Sequence, residues 1–230
     1  MFVSLPSRRK PPVRWATPAL LVLLSATFCW ALTLGEAAKA HLLTQWGALT
    51  GGPGLPETWQ ALWSSLRWKT LFTAIFLHAD WAHLLGNLIF LLIFGLPAER
   101  AMGPWRFLLL FLVGGAVANV AAVLSIGTPD RVIIGASGAI SAVIGAYLAL
   151  FPTAKLGVVL PLGLFLEFVK APASLLIGIW ALLQVVFAYT GPAFGAVAWW
   201  AHIAGFLFGV VFALFVRAAI ARRMRKRQGY

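Results

Sequence analysis

Charged residues are scarce in this chain, and acidic ones are scarcer still. Asp, Glu, Lys and Arg make up only 10% of its 230 residues, and six of these residues are acidic. A soluble globular domain contains about 25% charged residues, so this composition excludes that class. With 61% hydrophobic residues and a mean hydropathy of +0.91, the chain is predicted to be an integral membrane protein with one compact helical domain.

Cysteine is nearly absent as well, since Cys29 is the only one. This excludes an intrachain disulfide and a metal site built from cysteines. Asp80, Glu99, Asp130 and Glu167 lie outside the predicted membrane helices or toward their ends, so they are not placed to complete a shell with His78, His83 and His202. A metal centre is therefore not expected.

Basic residues dominate the charge and give a formal net charge of +12. Most of them form two clusters, one before the first apolar run and one after the last. The first cluster is Arg8, Arg9, Lys10 and Arg14, and the second is Arg217, Arg222, Arg223, Arg225, Lys226 and Arg227. Clusters that flank membrane spans report orientation and attract anionic lipid. We therefore expect these basic residues to interact with the lipid bilayer and not with nucleic acid.

Hydropathy predicts six membrane spans. They lie at roughly 17–34, 71–95, 107–126, 134–151, 173–190 and 197–217. Two basic termini on the cytoplasmic side require an even number of spans, and six spans put 14 of the 18 Lys and Arg on that side. The predicted organisation is a basic cytoplasmic N-terminus (1–16), a six-helix membrane domain (17–217) and a basic cytoplasmic C-terminal tail (218–230). This compact plan favours a bacterial plasma membrane, with an organelle as the alternative.

Two segments between the spans need another interpretation. Residues 35–70 contain four tryptophans and few charges, which is typical of a segment lying in the membrane interface. Residues 156–169 are apolar but short, and Pro161, Gly163 and Glu167 interrupt them. A seventh span there would move the C-terminal basic cluster outside. An interfacial or re-entrant element is therefore predicted for this second segment.

Ser137 stands in Gly135-Ala136-Ser137-Gly138, at the head of an apolar helix. Polar side chains at membrane depth are costly and tend to mark function. Glycines let the backbone turn sharply, and a helix N-terminus offers amide hydrogens and a positive dipole end to a developing oxyanion. The alternative is that these small residues serve only helix packing.

His202 lies in the last predicted helix, where Gly205 and Gly209 follow at offsets of 3 and 7 and share its face. Such a face permits close helix contact, so the imidazole could reach Ser137 and act as a general base. A buried structural histidine is the alternative. Because no acidic residue is placed to orient His202, the pattern favours a Ser–His dyad over a triad.

His83 and Asn87 are four residues apart in the second predicted span, so their side chains share a helix face. Both can donate hydrogen bonds without a permanent charge, which suits an oxyanion hole in a low-dielectric site. Hydrogen bonds between helices are the alternative interpretation of this pair.

Taken together and in this order, His-x-x-x-Asn, Gly-Ala-Ser-Gly and Ala-His-Ile-Ala-Gly-x-x-x-Gly resemble the rhomboid family of intramembrane serine proteases. The resemblance covers about residues 46–215. It implies an all-α membrane protein, a six-transmembrane-helix rhomboid-like bundle with an interfacial loop between helices 1 and 2.

The same resemblance implies a function and its residues. Ser137 would be the nucleophile and His202 the general base, while His83, Asn87 and the Ser137 amide would form the oxyanion hole. Gly135, Gly138, Gly205 and Gly209 would pack the helices around this site. Transmembrane protein substrates would be cleaved near the outer membrane face, without a cofactor. The oligomeric state is not indicated.

Two departures from the family pattern stand out. Lys69 follows Trp68 where many members have arginine, and Ser141 stands where some members carry an aromatic ring that stacks on the catalytic histidine. Trp199 or Trp200 is the expected substitute for that ring. The alternative functions are a non-catalytic rhomboid-like adaptor that binds transmembrane helices and, less favoured, a small transporter. Retention of both Ser137 and His202 favours the protease.

Overall fold

The computed structural model describes residues 14–51, 67–126, 129–162, 165–190 and 198–228. Several residues used in the sequence predictions lie outside these ranges. They are Arg8, Arg9 and Lys10 of the N-terminal cluster, Trp59 and Trp63, two of the four tryptophans of the predicted interfacial segment, and Gly163. The position of that segment relative to a bilayer stays a prediction.

Helices form most of the described chain, and two short antiparallel strand pairs connect them. The helices are α1 (Ala16–Leu32), α2 (Glu36–Trp46), α3 (Trp68–Thr73), α4 (Trp81–Met102), α5 (Pro104–Ser125), α6 (Ser137–Leu150), α7 (Ala173–Thr190) and α8 (Trp199–Gln228). The strands are β1 (Ala48–Gly51) with β2 (Pro129–Ile133), and β3 (Lys155–Leu162) with β4 (Phe165–Pro172). A 3₁₀ turn, Ala74–Phe76, follows α3, and α4 contains a π-helical turn at Leu91–Gly95.

The apolar helices form the bundle that the sequence predicts. Among the described residues, α4, α5, α7 and the Trp199–Arg222 part of α8 are long and apolar enough to cross a membrane. Two shorter apolar helices, α1 and α6, pack in the same core. The prediction of a helical membrane bundle is therefore confirmed, and the number of six spans stays a prediction.

The predicted start of the second span, at residue 71, is wrong. Residues 68–76 form α3 and the 3₁₀ turn, and the long helix α4 begins only at Trp81. Asp80 has an extended backbone, and its carboxylate accepts a hydrogen bond from the His83 amide, at 2.8 Å. Hydropathy averages across such a capping residue, whereas the cap determines where the helix begins.

The segment at 156–169 lies within a β-hairpin. Strands β3 and β4 pair in register from Lys155↔Pro172 to Leu162↔Phe165. Pro161 disfavours a helix there, and the valines and phenylalanines around it favour strands. The hairpin connects the end of α6 to the start of α7. Whether it lies at the interface or re-enters the bilayer stays a prediction.

Helix α6 lies at the centre of the bundle. Its residues from Gly138 to Tyr147 are all buried, as expected of a helix that is apolar on every side. Helix α8 packs directly on it, because Gly205 lies against the Gly138 carbonyl and Gly209 against the Ala142 carbonyl. A Cβ atom at either glycine would collide with that backbone oxygen, so larger residues would force the two helices apart.

A buried carboxylate connects α4 to α1 at the opposite end of α4 from His83. Glu99 is 1% exposed, and its oxygens accept hydrogen bonds from the amides of Trp15, Ala16 and Thr17, each at 2.9 Å. Helix α1 has no side-chain cap from Trp15, its own N-cap residue. Glu99 therefore satisfies amides that the helix leaves unpaired and places a negative charge at its positive dipole end.

We predict that Glu99→Gln destabilises the protein, because the amide removes the charge and presents N–H groups to backbone donors. The free energy of unfolding should fall by roughly 2 kcal/mol, as for a lost hydrogen bond to a charged group. Denaturation in detergent micelles would measure it. The matched control is Glu36→Gln at the exposed start of α2, for which a few tenths of a kcal/mol are expected. Equal stability of Glu99→Gln and the unaltered protein would contradict the prediction.

Candidate active site

The N-terminal ends of three helices bring the predicted site residues together. His83 and Asn87 lie in the first two turns of α4, Ser137 is the first residue of α6, and His202 lies in the first turn of α8. All four line one cavity of about 300 Å³. The sequence alone placed these residues on three separate helices, and the fold gathers them at one end of the bundle.

A turn that requires glycine determines where Ser137 lies. Gly135 has a φ of +116°, which side-chain-bearing residues rarely adopt. Its amide donates a hydrogen bond to the Ala74 carbonyl, at 2.9 Å, and strand β2, which precedes it, pairs with β1. Helix α6 then begins directly at Ser137. The amides of its first turn have no acceptor within the helix.

Ser137 and His202 are within hydrogen-bonding distance. The Nε2 atom of His202 lies 2.9 Å from the Ser137 hydroxyl oxygen. Both residues are half-buried. This separation is within the range for a serine and the base that takes its proton.

Of the two aromatic residues expected near His202, only Trp199 is in ring contact with it. The Trp199 and His202 rings meet edge to face, with centroids 6.0 Å apart. Trp200 packs instead against Tyr189. Ser141, which stands where the sequence resemblance leads to the expectation of an aromatic ring in some proteins, donates its hydroxyl hydrogen to the Ser137 carbonyl, at 2.7 Å.

Gln184 is a site residue that the sequence reasoning missed. It lies on α7, is 6% exposed, and its Oε1 atom is 2.7 Å from Nδ1 of His202. The expected dyad therefore has a third polar neighbour, an amide instead of a carboxylate. The available signal was a glutamine in the apolar run Ala-Leu-Leu-Gln-Val-Val-Phe, since polar groups at membrane depth tend to mark function.

His83 borders the turn at Gly135, and Asn87 lies one helical turn farther along α4 and lines the same cavity. The His83 ring occupies the space beside Gly135, with its Nε2 atom 2.5 Å from where a Cβ would stand. Asn87 is 6% exposed, and its Nδ2 atom has no hydrogen-bond partner within the described part of the chain. A buried amide without a partner is costly in a folded protein. Such a donor at the edge of a cavity is available to a ligand.

A second buried histidine, His78, packs against His83. It precedes α4, is 3% exposed, and its ring meets the His83 ring edge to face at 5.1 Å. Burial, and secondarily the neighbouring His83, lower the pKa of His78 to about 4. His78 therefore remains uncharged near pH 7 and adds no fixed charge to this end of the bundle.

The arrangement has the parts needed for acyl transfer. It combines a hydroxyl next to an imidazole, an amide donor that has no partner among the described residues and lines the same cavity, and a helix N-terminus at that cavity. Within the described residues, no three His, Cys, Asp or Glu side chains are grouped as metal ligands.

Comparison with known proteins identifies the family. The model of the Rhomboid domain matches residues 65–219. YdcA, a rhomboid protein of Bacillus subtilis, is 40% identical to this chain over 81 residues. These residues are 35% of this chain and 40% of YdcA. Rhomboid protease GluP of the same organism is 40% identical over 81 residues, 35% of this chain and 15% of GluP.

A plant relative gives a similar match. RHOMBOID-like protein 5 of Arabidopsis thaliana is 34% identical over 83 residues, 36% of this chain and 26% of that protein. The chain thus spans 40% or less of the length of each of these relatives. Because the family model covers most of the chain and the apolar helices form a membrane bundle, this integral membrane protein belongs to the rhomboid family.

Proposed function

We propose that this chain is an intramembrane serine endopeptidase that cleaves transmembrane segments of membrane-protein substrates. The observation that carries the proposal is the 2.9 Å separation of the Ser137 hydroxyl and Nε2 of His202. Membership of the rhomboid family supports it, and GluP, a relative that is named a protease, matches this chain at 40% identity over 81 residues.

In the proposed reaction, the Ser137 oxygen attacks the scissile carbonyl carbon while Nε2 of His202 takes the hydroxyl proton. The tetrahedral intermediate collapses when the C–N bond breaks, and His202 donates the same proton to the leaving amine. Water then attacks the acyl-enzyme ester, and His202 again accepts and returns a proton. The enzyme regains its serine, and the second product leaves as a carboxylic acid.

The oxyanion of the intermediate needs hydrogen-bond donors within the cavity. Asn87 supplies Nδ2, which has no partner among the described residues. His83 and the Ser137 amide are the further donors that we propose. Preorganised donors in a low-dielectric site stabilise the developing charge more strongly than water does.

The length of α6 explains how such a site could lie below the membrane surface. Its 14 residues span about 21 Å at 1.5 Å per residue, whereas the hydrocarbon core is about 30 Å thick. If Leu150 lies at one surface, Ser137 lies beneath the other. Phe90, Ile144 and Trp180 line the apolar part of the cavity, which suits a substrate segment that arrives from lipid.

The proposal includes a location. Six spans with cytoplasmic basic termini would direct the Ser137 end of the bundle to the outer side of a bacterial plasma membrane. Cleavage would then occur near the outer face of the bilayer.

Ser137→Ala and His202→Ala should each abolish cleavage of a transmembrane reporter, because each removes a partner of the proton transfer. Cleavage in liposomes, followed by gel electrophoresis and mass spectrometry of the fragments, measures this. Matched controls are Ser125→Ala and His41→Ala, at exposed positions outside the cavity, which should keep normal turnover. Turnover by either site variant would contradict the assignment. A wild-type protein that binds the reporter without cutting it would indicate the adaptor.

Two buried asparagines allow a sharper test of the oxyanion hole. Asn87→Ala should lower kcat by roughly 10²- to 10³-fold with little loss of stability, because its Nδ2 makes no hydrogen bond in the described structure. Asn119 is equally buried, but its Nδ2 donates to the Leu71 carbonyl, at 2.7 Å. Asn119→Ala should therefore lower stability by about 1–2 kcal/mol and leave kcat unchanged.

The test measures kcat on the reporter and the free energy of unfolding in detergent for both variants. If Asn87→Ala retained full kcat, or lost activity only in proportion to its stability, Asn87 would be a structural residue.

A further inference from the structure

We propose that Gln184 is a positioning residue that holds His202 in the tautomer whose Nε2 atom is free to take the proton of Ser137. The inference deepens the proposed function and rests on it. Gln184 lies on α7, separate from the helices that carry the serine and the histidine, and belongs to the same cavity.

The orientation of the Gln184 amide is determined first. Its Nε2 atom donates a hydrogen bond to the Trp180 carbonyl, one turn earlier on α7, at 3.3 Å. A carbonyl oxygen can only accept, so the NH₂ group must face Trp180. The Oε1 atom therefore faces His202, at 2.7 Å from Nδ1.

The orientation of the amide then determines the tautomer of the imidazole. Because Oε1 of Gln184 can only accept, Nδ1 of His202 must carry a hydrogen. A neutral imidazole carries one ring proton, so Nε2 is left with its lone pair. That lone pair lies 2.9 Å from the Ser137 oxygen. The hydrogen bonds run in one direction, from Ser137 through His202 and Gln184 to the Trp180 carbonyl.

A neutral amide suits this place in the protein. Gln184 is 6% exposed, and a carboxylate at the same position would have to be removed from water with no Lys or Arg among the residues that line the cavity. The amide dipole still stabilises the imidazolium that forms when His202 accepts the proton. Since Ser141 is too small to hold the imidazole by stacking, Gln184 and Trp199 together limit its rotation.

The test uses two substitutions in the full-length protein. Gln184→Met removes the acceptor and keeps a similar volume, whereas Gln184→Glu keeps an acceptor at the same distance. We expect Gln184→Met to lower kcat on the transmembrane reporter by roughly 10- to 100-fold, the effect of a misplaced catalytic group. Its KM should change little, and Gln184→Glu should restore most of kcat. Leu183→Met is the matched control, because Leu183 is 42% exposed on the same helix, and it should behave as wild type.

Nitrogen-15 NMR of histidine-labelled protein in micelles reads the tautomer directly. The His202 signals are assigned by their loss in His202→Ala. In wild type, Nδ1 should give the signal of a protonated nitrogen and Nε2 that of an unprotonated one, and Gln184→Met should shift both toward a mixture of tautomers.

Several results would overturn the inference: a wild-type His202 protonated on Nε2, an unchanged tautomer in Gln184→Met, or full kcat in that variant. The NMR reading does not depend on turnover. If wild type cleaved no reporter, the proposed function would fall, while the spectra would still decide what Gln184 does.

Discussion

The close contact of two helix backbones is the interaction on which the rest of this structure depends. Gly205 and Gly209 of α8 lie directly against backbone oxygens of α6, and no other residue type leaves room for that approach. A side chain at either position would separate the helices by more than a hydrogen bond can span. The small residues on the facing surfaces thus allow Ser137 and His202 to meet at 2.9 Å.

Polar groups in this bundle are found at its two ends, with different arrangements. At the Glu99 end, the carboxylate accepts hydrogen bonds from three backbone amides at the start of α1. These bonds stabilise the junction of α4 with α1. At the other end, the Asn87 amide is buried without a partner in the described structure. Lipid cannot satisfy such a group, and at the edge of the cavity this donor can bind a molecule that enters. The first end supports the fold, and we infer that the second binds and reacts.

The sequence predicted the membrane bundle and most of the candidate site residues, because those predictions rest on local patterns. Long apolar runs identify helices, and glycine next to a lone serine or histidine is conspicuous among them. Three features could not be predicted from the sequence. The start of α4 depends on the Asp80 cap, and the 156–169 segment pairs with its own neighbours as a hairpin. The role of Gln184 depends on its contact with His202, which is 18 residues away in the chain. A pattern within a single helix cannot predict that contact.

The central claim is that Ser137 is a nucleophile activated by His202 in a recess that water reaches. Active-site labelling with a fluorophosphonate probe, followed by peptide mapping, tests it most directly, because the probe needs an activated hydroxyl but no particular substrate. We expect a single fluorophosphonate adduct, on Ser137. It should form in the folded protein and disappear on denaturation or when His202 is replaced. No adduct, or one that forms on Ser137 equally well without His202, would contradict it.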